Sequence, residues 1–300
     1  MARLAGFLIG WAILAAAGGV RADDPPAQVT VLFDAFGARS DLKRGWGYSA
    51  LVEYGSRRIL FDTGGSLEGF AWNVRTLGVD LGRLDFVVLT HRHGDHTAGL
   101  NHVLKVNPGV TVYTPVEAAY FDTPVQGPTE RLIRRHVDTA PADMHYFDGK
   151  PPDRIVADSP WPGARFVQIA RTTEVLPGFW LFPTRSEVAG TLEMNEISMA
   201  VATPRGLLVM VGCSHPGIEK ILGVAATINP RLYALYGGLH LADVPDAEVN
   251  GLAGRFRDQW KFERIGAGHC TGEFGFSALE RAFGARFDHA GVGSVWPLAK

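Results

Sequence analysis

Three histidines and an aspartate stand within six residues, at His91, His93, Asp95 and His96. Imidazole nitrogens and carboxylate oxygens are good ligands for zinc, and also for iron or manganese. Alternate side chains of an extended stretch share a face, so His91 and His93 project together, and Asp95 and His96 follow within one turn. A lone histidine is usually a packed or surface residue. This cluster directly follows the apolar run Phe86-Val87-Val88-Leu89 and reads as a metal-binding loop. Three more apolar runs end the same way, in Gly212-Cys213-Ser214-His215-Pro216-Gly217, Gly237-Gly238-Leu239-His240 and Gly266-Ala267-Gly268-His269-Cys270-Thr271-Gly272. Ligands of α/β sheets collect beyond the carboxyl ends of strands, so four such ends point at one place. His102, His136, His145 and His289 have no such setting and read as ordinary histidines.

The elements that must carry these loops follow from the apolar pattern. Residues 29–33 read as a strand, and 48–54 with 58–61 as a hairpin turned at Gly55-Ser56 and ended by Asp62-Thr63-Gly64-Gly65. Residues 67–77 read as a helix stopped at Gly78. Strand 86–89, the histidine loop, helix 98–106 and strand 110–113 then imply a crossover and hence an α/β layer. Strands are expected at 165–170 and 179–183, and a hairpin at 196–203 and 206–211 around Pro204-Arg205. Helices 218–228, 246–260 and 276–283 alternate with strands 232–236 and 262–265. Residues 121–162 are rich in proline, charge and aromatics, and read as an insertion with one helix near 129–136. Long irregular segments of this kind are often binding loops or lids. Arg131, Arg134, Arg135 and Trp161 are its candidates for an anionic or aromatic substrate, although an arginine run is more often a solvated helix face.

Thr90-His91-Arg92-His93-Gly94-Asp95-His96 resembles the signature of the metallo-β-lactamase superfamily, with Asp62-Thr63-Gly64 where that family places its upstream aspartate. The loops at 212–217, 237–241 and 268–272 look like one branch of it, whose reference members are described as dihydropterin ribofuranosylaminobenzene phosphate synthase-like proteins. The resemblance implies an αββα sandwich, two mixed sheets flanked by helices, holding two metal ions. One ion would use His91 and His93, and the other Asp95, His96 and His269. Cys213 falls where many members carry a bridging aspartate, a ligand that a thiolate can replace. Most members have a further histidine in the hairpin region before that position; here residues 191–196 contain none. His215, or else Glu193 or Glu196, is expected to take its place. His240 is expected in a catalytic role, with ligation or support of a ligand as the alternatives. Asp62 reads as a support for the histidines or as a simple turn aspartate.

The formal net charge of −2 and 20% charged residues give no sign of a nucleic-acid-binding protein, and 46% hydrophobic residues suffice for a core. Arg3, the apolar run 4–19 and Val20-Arg21-Ala22 read as a signal peptide over 1–22, cleaved before Asp23. The metal-binding domain is then expected over 23–300, in the periplasm or outside the cell, with no other membrane-spanning segment. An oxidising compartment would allow Cys213 and Cys270 to pair. Their place in histidine-rich loops instead favours Cys213 as a ligand, with Cys270 as a small buried residue.

Zinc lowers the pKa of bound water from about 15.7 to about 7, so the resemblance implies a hydrolase that uses a metal-bound hydroxide. The expected substrate is a small ester, lactone, amide or phosphoester, with Asp95 orienting the nucleophile. The competing readings are a pterin-type synthase or transferase, and a periplasmic metal-binding protein without turnover. The sequence leaves the oligomeric state open.

Overall fold

Val29, Val31, Ala50, Val52, Ile59 and Phe61 alternate along three neighbouring strands and are buried on one face, while Leu32, Leu51 and Leu60 between them are buried on the other. A sheet that is apolar on both faces must be covered on both. The computed structural model, which describes residues 26–117, 121, 125–128, 150, 154–157 and 160–299, shows how. Strands β1 (Ala27–Phe33), β2 (Ser49–Tyr54), β3 (Arg57–Phe61), β4 (Phe86–Val88), β5 (Thr111–Pro115), β8 (Arg165–Ile169) and β16 (Val295–Pro297) form a seven-stranded sheet in the order β16-β1-β2-β3-β4-β5-β8. Strands β9 (Thr173–Leu176), β10 (Phe179–Ser186), β11 (Met194–Thr203), β12 (Gly206–Val211), β13 (Leu232–Gly238), β14 (Arg264–Gly268) and β15 (Phe287–His289) form a second, in the order β15-β14-β13-β12-β11-β10-β9. Both sheets are mixed: β3-β4-β5-β8 and β12-β13-β14-β15 are parallel, and the remaining pairs antiparallel.

The inner faces of the two sheets meet in one apolar layer, where Val52, Phe61 and Val88 of the first sheet join the cluster of Ile197, Met199, Met210 and Tyr236 from the second. Helices α1 (Leu67–Thr76) and α3 (Leu100–Val106) cover the outer face of the first sheet through Phe70, Val74, Leu100 and Val103. Helices α4 (Ile218–Ile228), α5 (Asp246–Asp258) and α6 (Glu273–Phe283) cover the second through Ile221, Leu222, Phe256 and Leu279. The layers run α, β, β, α, as the resemblance implied. Ser66 starts α1, its side chain accepting the Gly69 N–H, an N-cap bond of about 1 kcal/mol.

The expected strands and helices are present within a few residues. The expected helix at 98–106 divides into the single turn α2 (Gly94–Thr97), which carries Asp95 and His96, and α3. Five strands were not read from the sequence: β6 (Val125–Pro128) and β7 (Arg154–Ala157) within the insertion, β9, and the C-terminal β15 and β16. The expected signal peptide, the helix near 129–136, and Arg131, Arg134, Arg135, His136 and His145 lie outside the described residues. Within the segment 121–162 the described parts include a two-stranded ladder, β6 (Val125–Pro128) with β7 (Arg154–Ala157). Trp161 is not placed to meet a substrate: it is 7% exposed and packs with Phe121 and Phe166 in the apolar cluster beneath the first sheet. Among the described residues no helix is long and apolar enough to cross a membrane.

Candidate metal centre

Five strands deliver the site. β3 ends at Asp62 and β4 at the loop of His91, while β12, β13 and β14 end at Cys213, His240 and His269. The first sheet thus supplies one half of the site and the second the other. They meet where Ile197 N–H donates to Thr90 O at 2.9 Å and where Gly212 lies against Thr90; a Cβ on Gly212 would come within 2.2 Å of Thr90 Oγ1. Asp62, Ser214, His240 and His269 all hold positive φ, between 49° and 67°. Each such backbone costs about 1–3 kcal/mol, and such costs gather where function fixes the geometry.

Hydrogen bonds orient the rings. Asp62, fully buried, accepts the Thr90 N–H at 2.7 Å, the Thr90 hydroxyl at 2.8 Å and His96 Nδ1–H at 2.7 Å. The single Thr90 proton is given to Asp62, so Thr90 Oγ1 receives His91 Nδ1–H, 2.9 Å away. Both imidazoles thus have an acceptor at Nδ1, and each, when neutral, would keep its proton there and turn a lone pair outward on Nε2. Glu196 does the same for His215, whose Nδ1 lies 3.1 Å from Oε2. Its two oxygens also collect the backbone N–H groups of Cys213, Ser214 and His215 at 3.2, 2.8 and 3.0 Å. Asp34 Oδ2 accepts the His269 N–H at 2.9 Å and fixes that loop. Between His91 and His93, the Arg92 guanidinium bonds Glu117 and the Glu193 carbonyl, which holds the histidine loop in place.

The outward nitrogens converge. Ring centroids of His91 lie 4.7 Å from His93, 4.2 Å from His96 and 4.7 Å from His215. His96 Nε2 is 3.1 Å from Cys213 Sγ and 3.2 Å from His269 Nε2, which is 3.4 Å from Asp95 Oδ2. Donor atoms lie within 4.8 Å of one another in each of four groups: His91, His93 and His215; Asp95, His96 and His269; His91, His96 and Cys213; and Cys213, His240 and Cys270. A divalent cation suits this set. His91 Nε2 is buried with no hydrogen-bond partner, as is His269 Nδ1. Buried polar atoms left unpaired cost about 1–3 kcal/mol, and His91 Nε2 is aimed where a metal ligand belongs.

The charges agree with that fit. Burial and the neighbouring imidazoles hold His91 far below the ordinary histidine range, so it is a neutral donor. Burial opposes charge on His96, but Asp62 beside it lifts the imidazole to about 9; burial in turn raises Asp62, so the pair keeps one proton through neutral pH. Asp95 stays ionised despite burial, held well below the usual carboxylate range by His269 and His96. Burial likewise fails to neutralise Glu196, which the His215 bond keeps low.

All seven expected ligands, His91, His93, Asp95, His96, Cys213, His215 and His269, therefore meet in one place. Of the alternatives to His215, Glu193 is exposed and pairs with Arg185, whereas Glu196 lies behind His215 and holds it. Both cysteines are free and buried. Cys270 is buried, as expected, and its thiol also stands in the group with Cys213 and His240. His102 packs on Phe70 and His289 on Phe276 and Phe287, away from the centre. Asp34, Thr90 and Trp46 were missed. Trp46 is 60% exposed with its ring 4.8 Å from His269, at the lip of the site. A cleft of about 250 Å³, lined by His215, His240, Lys220, Leu239 and Leu252, opens beside it.

A strand-end metal centre between two helix-covered mixed sheets defines the class. The chain carries a metallo-beta-lactamase superfamily domain, matched over residues 44–179, and has that superfamily's fold. It is similar to 7,8-dihydropterin-6-methyl-4-(beta-D-ribofuranosyl)-aminobenzene-5'-phosphate synthase of Methanocaldococcus jannaschii, 25% identical over 83% of this chain and 88% of that one. An uncharacterized protein of the same archaeon is 26% identical over 82% of this chain and 91% of its own length. Among solved structures, Tm1679, described as a metal-dependent hydrolase of the beta-lactamase superfamily, covers 91% of this chain and 99% of its own, with 26% identity and a TM-score of 0.67.

Proposed function

We propose that the protein is a dinuclear metal-dependent hydrolase, exported to the periplasm or beyond, that acts on a small ester, lactone, amide or phosphoester. The observation that carries it is the set of imidazoles whose protons Thr90, Asp62 and Glu196 hold on Nδ1, leaving the opposite nitrogens facing one another. His91, His93 and His215 would hold one ion, and Asp95, His96 and His269 the other, with Cys213 between them. Zinc is the expected metal, and iron or manganese would accept the same nitrogen and oxygen donors. Bound ions of this kind polarise the scissile bond and make water a nucleophile at neutral pH.

The chain's own groups orient the reaction. Asp95 remains an anionic acceptor near neutrality and can hold the attacking water by its proton. His240 lines the cleft; its imidazole, raised by its contact with Cys270, is the candidate proton donor to the leaving group. Trp46 offers an exposed ring to an apolar or planar substituent of the substrate. Export rests on the apolar run and cleavage pattern at the amino terminus.

Metal analysis of the purified protein, followed by a panel of chromogenic esters, lactones, amides and phosphoesters, tests the proposal. Turnover that a chelator abolishes and zinc restores is expected. A fully metal-loaded protein inert toward the whole panel would defeat it. The 25% identity to the M. jannaschii synthase favours a second reading, a bond-forming reaction on a pterin. Saturable binding of a dihydropterin phosphate, with formation of a new bond to it and no hydrolysis of the panel, would support that reading instead.

A further inference from the structure

Cys270 is not needed by either ion of the centre just described, yet its thiol is placed as carefully as theirs. It sits at the end of β14, 4% exposed, and its Sγ donates to the Cys213 carbonyl at 3.5 Å. Gly238, at the end of the neighbouring β13, makes room for it: a Cβ there would come within 2.8 Å of Cys270 Sγ. Two residues further on, His240 holds a left-handed backbone at φ 50°, and its Nδ1 is buried with no hydrogen-bond partner. The donor atoms of Cys213, His240 and Cys270 lie within 4.8 Å of one another. Two donors on a tetrahedral zinc with bonds of about 2.3 Å stand about 3.8 Å apart, so the three lie within about 1 Å of coordinating spacing.

We infer that Cys213, His240 and Cys270 form a separate soft-donor site, holding one thiophilic cation per chain beside the histidine–aspartate centre. Two sulfurs and one imidazole select zinc, cadmium or monovalent copper over the hard ions that carboxylates prefer. Cys213 would give its thiolate to this cation and to the ion of Asp95, His96 and His269, bridging two cations, so with this site filled it no longer spans the histidine–aspartate pair. Ligation through the buried Nδ1 of His240 would leave a neutral ring whose Nε2–H donates a hydrogen bond, so a filled site takes the place of the proton-donor role. The inference rests on the reading of this region as a metal centre, but not on hydrolysis.

The test uses the full chain, stripped of metal and titrated with cadmium and with cobalt(II). X-ray absorption at the cadmium edge of the wild-type protein should show one ion with two sulfur neighbours, and the cobalt form should show a near-ultraviolet thiolate-to-metal band. Cys270→Ser should lower that band by about half and weaken cadmium at this site on the order of 100-fold or more. His240→Ala should weaken it while leaving both sulfurs in place. A wild-type ion with one sulfur neighbour, indifferent to Cys270→Ser, overturns the inference and leaves the histidine–aspartate centre standing. A wild-type protein that binds neither metal overturns both. The absorption measurement needs no variant, so a Cys270→Ser protein that fails to fold does not decide the matter.

Discussion

Glu196→Gln removes one charge and no volume, and the structure states what it breaks. Oε1 of Glu196 serves the N–H groups of Cys213 and Ser214, and Oε2 serves the N–H and Nδ1–H of His215. An amide has one oxygen. Whichever way the glutamine turns, its NH2 faces two donors, so two of the four bonds are lost. Bonds to a charged acceptor are worth about 1.5–3 kcal/mol each, and partial relaxation brings the expected loss to about 3–5 kcal/mol. For a chain of this size that lowers Tm by on the order of 10 °C. The orientation that turns the NH2 toward His215 has a second effect. It forces Nδ1 to accept, moves the ring proton to Nε2, and takes away the lone pair offered to metal. Metal affinity should fall by about 10–100-fold. Differential scanning calorimetry of the metal-free protein reads the first effect, and competitive zinc titration the second. A variant with a Tm within about 1 °C of wild type and unchanged zinc affinity would refute the role given to Glu196.

Asp62→Asn should weaken zinc by about 10–100-fold, since its one remaining oxygen can serve either the Thr90 N–H or the Thr90 hydroxyl and His96; an unchanged dissociation constant would refute the supporting role given to Asp62. His96 in the metal-free protein stays protonated up to about 9, and burial pushes the Cys213 thiol higher still, so zinc uptake near neutral pH should release protons and apparent affinity should rise with pH through 9. Calorimetry in buffers of different ionisation enthalpy measures that release, and a buffer-independent heat contradicts it. Saturating the stripped protein with zinc at a thousand times its dissociation constant should stabilise it by about 4 kcal/mol, seen as a rise in Tm that a chelator reverses. Trp46→Ala should raise KM for an aryl substrate while moving stability by no more than about 0.5 kcal/mol, because the ring is largely in solvent; a changed Tm with unchanged KM would make Trp46 a structural residue.

The sandwich and its metal loops were legible because they repeat. Apolar runs of the right length each stop at a histidine-bearing loop, and the four repetitions, one on the first sheet and three on the second, mark the same edge of the sandwich. The C-terminal strands β15 and β16 were not legible, since three residues such as Phe287–His289 or Val295–Pro297 are too few to set a period. Nor were the groups that aim the histidines. Asp34 and Thr90 are single polar residues, and Glu196, counted as a possible replacement ligand, looks no different in sequence when it stands behind a ligand than when it is one. Only folding decides which side of His215 the carboxylate takes. Cys270 is buried, as its setting beside His269 suggested, but its grouping with Cys213 and His240 depends on β12 and β13, which lie alongside only in the folded sheet.

The division of the donors between the two sheets reaches beyond the site itself. His91, His93, Asp95 and His96 arrive on one half of the sandwich, and Cys213, His215 and His269 on the other, so a bound cation acts as a clasp across the seam. Affinity for the ion then gauges how firmly the halves are seated. Trimming Val52 or Val201, buried between the sheets, should loosen the clasp together with the fold. Conversely, an ion in place resists any breathing that would part the layers.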